Sequence, residues 1–239
     1  MRLGVERIYT YFMNQIEAEY EPGRCLKDTP KGKLTLLRHK GSGQRYVLRE
    51  FNGNAEAFRR LLSVDCPNLV RILEVAEENG RVAVLEEFVA GNSLSEMLKD
   101  TVFTPAEAKS IVRQLCCGLF VLHGLQVVHR DIKPENIILR GEQAVLLDFD
   151  ASRVYKSEQS VDTQVLGTIG YAPPEQFGVS QTDGRADIYA LGVLLNIMLT
   201  GKHPAQELAG GRLGRVVQRC TMTVPEKRYK DVLDLMNSL

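Results

Sequence analysis

The chain has no excess of charge of either sign: thirty lysines and arginines are balanced by thirty aspartates and glutamates. Such a balance sets up no global field toward nucleic acid or anionic lipid, so neither is expected as a partner. Cysteine is sparse. Cys25, Cys66, Cys116, Cys117 and Cys220 form no CxxC pair and no zinc spacing, which excludes the usual thiolate metal centres. Their odd number, and the adjacency of Cys116 and Cys117 in a helical pattern, point to buried, reduced thiols in a cytoplasmic chain. Long apolar runs are missing as well. The opening MRLGVERIYTYF lacks the apolar core of a signal peptide. The most apolar stretch, ALGVLLNIML at 190–199, falls far short of the roughly 20 residues a membrane span needs. No repeat or low-complexity tract occurs. What remains is 239 residues, 44% hydrophobic and 25% charged, enough for one large domain or two small lobes.

Periodicity divides the chain. Ile8, Phe12, Ile16 and Tyr20 recur every four residues beside a stripe of Val5, Tyr9 and Met13. This predicts an amphipathic helix over 5–20 that packs on the domain following it, with a dimer contact as the alternative. EPG at 21–23 then breaks the chain. From residue 24 the pattern is that of strands. KLTLLRH (33–39) and RYVLREF (45–51) flank the hairpin connection KGSG, and VRILEVAEE and RVAVLEEF flank Asn79-Gly80. A short helix, 55–63, lies between the pairs, and VAGNSL (89–94) reads as a linker. Beyond it the pattern is helical: a long helix from the Thr104 cap and Pro105, a buried one over 186–199, and YKDVLDLMNSL at the end. A strand-rich first third and a helical remainder suggest two lobes with a cleft between them.

The polar chemistry concentrates in HRDIKPEN (129–136) and DFD (148–150). Asn136 precedes the strand-like IIL and Asp148 follows the apolar AVLL, so two strands joined by a turn bring both to one end. An amide oxygen and a carboxylate make a sparse hard-oxygen site suited to Mg²⁺ that also holds nucleotide phosphates. Asp131 is then placed to orient a hydroxyl nucleophile, and Lys133 to neutralise transferred charge.

These motifs carry a resemblance. Over about residues 24–239 the chain is similar to the eukaryotic-type (Hanks-type) Ser/Thr protein kinases, in a compact, divergent form with a bacterial look to its hinge. HRDIKPEN matches the catalytic loop, with Lys133 marking Ser/Thr rather than Tyr kinases, and LLDFDASR the DFG strand. GTIGYAPPEQFG (167–178) matches the end of the activation segment, and DIYALGVLL (187–195) the helix whose aspartate braces the catalytic loop. PEKRY supplies Arg228, the expected partner of Glu175. The resemblance implies an α+β, protein-kinase-like bilobal fold: an antiparallel-sheet lobe with a shortened helix, and a mainly helical lobe. It divides the chain into an N-terminal helical extension (1–23), the small lobe (24–88) and the large lobe (89–239). It implies ATP and Mg²⁺ as cofactors and a protein hydroxyl as acceptor, the chain's own included. Asp131 is the expected base, Lys133 the contact to the γ-phosphate, Thr168 their neighbour, and Asn136 and Asp148 the Mg²⁺ ligands. Gly32, Lys33, Arg49, Glu87 and Val89 are the expected nucleotide contacts. Ser160 and Thr163 are candidate phosphosites whose charge would pair with Arg130.

The first lobe departs from the family pattern. Lys27 and Thr29 fall where the first two loop glycines belong, and only Gly32 survives. Arg49 occupies the position of the phosphate-anchoring lysine, a swap that is not conservative; Lys33 is the candidate substitute, as in the with-no-lysine kinases. Ala57 occupies the position of the partner glutamate, with Glu56 beside it about 100° around the helix. Asp150 replaces the DFG glycine, and Glu86 sits at the gatekeeper position beside the hinge EFVAG. Two readings besides an active kinase therefore stand at this point. One is a pseudokinase acting as a nucleotide-binding or scaffold module. The other is a small-molecule phosphotransferase, against which the long segment from Asp148 to Glu175 argues.

Overall fold

The computed structural model describes residues 8–155, 168, 170–177 and 182–239. They form two compact units: the chain up to Asp65 with Val70–Val89, and Cys66–Leu69 with Ala90–Leu239.

The first unit opens with helix α1 (Ile8–Glu19) and continues into β1 (Tyr20–Thr29), β2 (Gly32–His39), β3 (Arg45–Asn52), helix α2 (Glu56–Leu61), β4 (Ile72–Glu78) and β5 (Arg81–Glu87). The strands make one antiparallel sheet in the order β1-β2-β3-β5-β4. Successive side chains point to opposite faces of a strand, so the register sorts the residues. Leu37 stands opposite Tyr46, and Leu48 opposite both Thr35 and Leu85, on the face that packs against Tyr9, Phe12 and Ile16 of α1. Arg49, between Leu34 and Val84, lies on the other face. The hairpin turn at Asn79 (φ 52) and Gly80 (φ 77) has the left-handed angles that Asn-Gly supplies cheaply.

Two expectations need correction here. The buried stripe of α1 is Tyr9, Phe12 and Ile16, a three-then-four spacing, whereas Ile8 is 61% exposed and Tyr20 already belongs to β1. Also, EPG does not break the chain: Pro22 and Gly23 lie inside β1. That strand tolerates them because it is a sheet edge with register shifts on both sides of Cys25, where a missing N–H costs least.

The second unit begins with the two-residue strand β6 (Asn92–Ser93) and helix α3 (Leu94–Met97), so the stretch expected as a linker is partly paired. Helix α4 (Pro105–Gly124) starts at Thr104 in a full capping box with Glu107, an arrangement worth about 1 kcal/mol. Strands β7 (Val127–Val128), β8 (Ile137–Arg140), β9 (Gln143–Leu146) and β10 (Arg153–Val154) follow. They pair as a three-stranded β6-β8-β9 sheet and a β7–β10 ribbon. Helices α5 (Arg185–Thr200), α6 (Gly211–Cys220) and α7 (Val232–Ser238) complete the unit. Most of α5 is buried, and its Gly192 is required by contact: a Cβ there would sit 2.3 Å from Cys220 Cβ. Cys116 and Cys220 are buried as expected, but Cys25 and Cys117 are exposed; all five thiols are free.

Candidate active site

The loop 129–136 is held from beneath by one buried carboxylate. Asp187, in the first turn of α5, has no exposed surface. Its Oδ1 accepts from Arg130 N at 2.8 Å and its Oδ2 from His129 N at 3.0 Å. Oδ2 also accepts from His123 Nε2, at the end of α4, at 2.8 Å. Burial alone would raise the Asp187 pKa. The hydrogen bond and charge of His123, the neighbouring His129 and the Arg130 N–H outweigh it together and hold the carboxyl below its ordinary value. With its amides so fixed, Arg130 takes a left-handed backbone angle, φ 68, which costs a non-glycine residue about 1–2 kcal/mol.

His129 carries this order forward. Asp131 N donates to its Nδ1 at 3.3 Å, which makes Nε2 the protonated nitrogen, donating to Leu147 O at 3.0 Å. The same imidazole therefore ties the amide of Asp131 to the carbonyl just before Asp148. The Phe149 ring meets it edge-on at 5.5 Å.

Above this base three side chains close a triangle. Thr168 Oγ1 donates to Asp131 Oδ1 at 2.5 Å, Lys133 Nζ donates to Thr168 Oγ1 at 2.8 Å, and Lys133 Nζ lies 2.7 Å from Asp131 Oδ2. Asn136 braces it from the side: its Nδ2 donates to Asp131 O at 2.8 Å and Asp131 Oδ2 at 3.1 Å. Both acceptors belong to Asp131, so the amide nitrogen faces the aspartate and Oδ1 is the atom left to meet a cation. The β8–β9 hairpin brings Asn136 and Asp148 to one end, where Leu147 N donates to Asn136 O at 2.8 Å. The unusual backbone angle belongs to Asp148 (φ 65), whereas Asp150 is bound through its N–H to Asp148 Oδ1 at 3.3 Å. One amide oxygen and one carboxylate fit a hard divalent cation that takes its remaining ligands from phosphates and water. Among the described residues no group of three or more His, Cys, Asp or Glu side chains could hold a metal unaided.

The segment after Thr168 is anchored from two sides. Glu175 and Arg228 form a two-pronged ion pair at 2.6 and 2.8 Å, and Gln176 Nε2 donates to Arg130 O at 2.8 Å. His203 Nε2 reaches Gly170 O at 2.8 Å. Ser160 and Thr163 lie outside the described residues.

In the first unit the expected nucleotide contacts separate. Arg49 is buried, and its Nε donates to Glu86 Oε1 at 2.7 Å. Lys33 is not brought to Arg49; it stands opposite Glu50, on the sheet face that carries α1. Gly32 is glycine because β3 passes close by: a Cβ would sit 2.6 Å from Glu50 O and 2.9 Å from Phe51 Cβ. Glu87 joins Arg71 in both directions, N to O at 3.0 Å and Oε1 from N at 3.2 Å. Val89 is buried. The sequence reading missed Glu86 as the partner of Arg49. The signal was available: Val82, Val84 and Glu86 occupy alternate positions of β5, an apolar series ending in an acid. It also missed His123, Gln176 and His203, which carry no local motif.

The family profile described as protein kinase domain matches residues 40–238, and the chain belongs to that family. The serine/threonine-protein kinase pkn2 of Myxococcus xanthus is 37% identical over 164 residues, covering 64% of this chain and 20% of that protein. An Aurora kinase of Candida glabrata is 29% identical over 234 residues, 92% of this chain and 65% of that protein. The serine/threonine-protein kinase SRK2H of Arabidopsis thaliana is 33% identical over 200 residues, 79% of this chain and 56% of that protein. The chain thus spans less than two thirds of the length of each of these relatives. The fold is that of the family: an antiparallel five-stranded sheet in one unit and a mainly helical second unit. No helix among the described residues is long and apolar enough to cross a membrane.

Proposed function

We propose that the chain is a Ser/Thr protein kinase domain that transfers the γ-phosphoryl group of ATP to a serine or threonine hydroxyl of a protein, its own hydroxyls among the acceptors. The observation that supports this most is the closed arrangement of Asp131, Lys133, Thr168 and Asn136. In this reading Asp131 receives the acceptor hydroxyl in place of the Thr168 proton and takes up the hydrogen as the new P–O bond forms. Lys133, already beside Asp131, meets the negative charge on the transferred group. Thr168 holds both side chains in register when no acceptor is present. Asn136 Oδ1 and Asp148 would hold Mg²⁺, whose charge supports the phosphate oxygens of ATP. Arg49, Glu87 and Val89 serve the nucleotide from the first unit. We take the first unit, with α1 as its N-terminal helix, as the small lobe and the second unit as the large lobe, in place of a boundary at 23/24 that would cut β1, with the cytoplasm as the compartment that supplies ATP and keeps five thiols reduced.

Release of ADP in the presence of a generic protein acceptor tests the reading. Wild-type turnover that is lost in Asp131→Asn, with Mg-ATP binding retained, is the expected result. Equal turnover in the two proteins would remove Asp131 from the mechanism. Asp148→Asn is expected to abolish the Mg²⁺-dependent part of ATP-induced thermal stabilisation, and an unchanged Mg²⁺ effect would refute the metal assignment.

A further inference from the structure

Arg49 and Glu86 are 5% and 4% exposed, on neighbouring strands β3 and β5. Charges at that depth persist when paired, and the 2.7 Å contact from Arg49 Nε fixes the plane of the guanidinium. Helix α2 meets Arg49 in a different way. Its Phe58 ring lies 5.9 Å from the guanidinium carbon and is itself packed on Phe51 at 5.6 Å. The acid of that helix, Glu56, pairs with Arg60 at 3.6 Å, one turn further on. Ala57, at the position where the family resemblance puts a glutamate, is buried and carries no charge. The helix is only six residues long.

We infer that Glu86 is the positioning residue for Arg49, supplying from within the sheet the carboxylate that the family resemblance expects from helix α2. The inference rests on the kinase reading, in which Arg49 anchors the phosphates of ATP. Strands β3 and β5 are in register from Tyr46↔Glu87 to Asn52↔Arg81, so the pair forms as the sheet forms. Among the described contacts, helix α2 meets the cation through the Phe58 ring, and its acid Glu56 meets Arg60. The position of that helix then does not gate the phosphate anchor, and the anchor is assembled whenever the first unit is folded.

The test compares wild type, Glu86→Gln and Glu56→Gln, each first shown to unfold cooperatively on heating. Calorimetric affinities are measured for Mg-ATP and for adenosine, which has the base and sugar but no phosphate. Glu86→Gln is expected to weaken Mg-ATP about tenfold while adenosine changes less than about twofold, because a misaimed guanidinium costs a charge-assisted hydrogen bond to phosphate alone. Glu56→Gln is expected to match wild type for both ligands. Unchanged Mg-ATP affinity in Glu86→Gln overturns the inference. So does an equal loss of both ligands, which would place Glu86 at the base, and so does a comparable loss in Glu56→Gln. Should Glu86→Gln fail to fold, Glu86→Asp makes the same comparison with the carboxylate withdrawn by one methylene. A reduced ratio of ATP to adenosine affinity supports the inference, and an unchanged ratio overturns it. Turnover enters none of these readouts. A wild type that binds Mg-ATP and transfers no phosphate refutes the kinase reading and leaves the role of Glu86 to the binding data.

Discussion

Removing the Arg228 side chain should be the most destabilising single truncation in the second unit outside its apolar core. The side chain has no exposed surface, and its Glu175 partner is 15% exposed. Besides the two contacts to Glu175, Nε donates to Met222 O at 2.7 Å and Nη1 to Arg185 O at 2.9 Å. Its guanidinium also lies 5.0 Å from the Tyr189 ring. Arg228→Ala leaves a largely buried carboxylate without its cation and withdraws a donor from three carbonyls, those of Met222, Arg185 and Thr223, a change that costs about 3–5 kcal/mol. For a chain of this size each kcal/mol lowers Tm by roughly 2–4 °C, so the expected loss is on the order of 6–20 °C by circular dichroism or calorimetry. Arg228→Lys keeps the charge but not the fork and should fall between. Replacing both partners with apolar groups, Glu175→Leu with Arg228→Met, should cost less than Arg228→Ala alone, because no buried charge is left behind. A Tm within about 2 °C of wild type for Arg228→Ala would refute this reasoning. A double variant as unstable as the two single losses added together would refute it too.

Two further outcomes follow from the ionisation of buried groups. Asp187 has a folded pKa below its ordinary value of 3.8, so the stability it adds is complete above about pH 4 and is lost as pH falls through the depressed folded value. The stability gap between wild type and Asp187→Asn should narrow as pH falls below about 4, where the carboxylate takes up its proton; a gap that keeps widening below that pH would contradict the assignment. Burial pushes the Cys116 thiol up to about 12 and raises that of Cys220 as well, so neither should react with iodoacetamide in the folded protein at pH 8. Exposed Cys25 and Cys117 should be alkylated first, and peptide mapping that finds Cys116 or Cys220 modified before them would contradict the burial.

The second unit was legible in the sequence because its signals are local. Thr104-Pro105 marks a helix start that the capping box confirms, and the apolar run at 190–199 lies within the buried helix α5. The short hairpin between Asn136 and Asp148 followed from two apolar stretches and a turn. The first unit was less legible. Strand β1 is exposed along almost its whole length, so it lacks the alternation that betrays a half-buried strand. Its proline and glycine imitate a break. The face of Lys33 depends on strand register, which no residue type announces, and a one-residue slip would have reversed it. The partnership of Arg49 with Glu86 spans 37 positions, too far for any local motif, although the acid closing the Val82–Val84 series was visible. Gln176 and His203 reach backbone carbonyls far away in the chain, contacts that leave no pattern in composition or spacing.

The most direct test of the account is the intact mass of the purified protein before and after incubation with Mg-ATP, beside Asp131→Asn. Steps of one phosphate that appear in the wild type and are absent from the variant are the result expected if the Asp131–Lys133–Thr168 arrangement transfers phosphate. Identical phosphate gain in both proteins would contradict it. No gain by the wild type, either on itself or on an added protein acceptor, would contradict it as well.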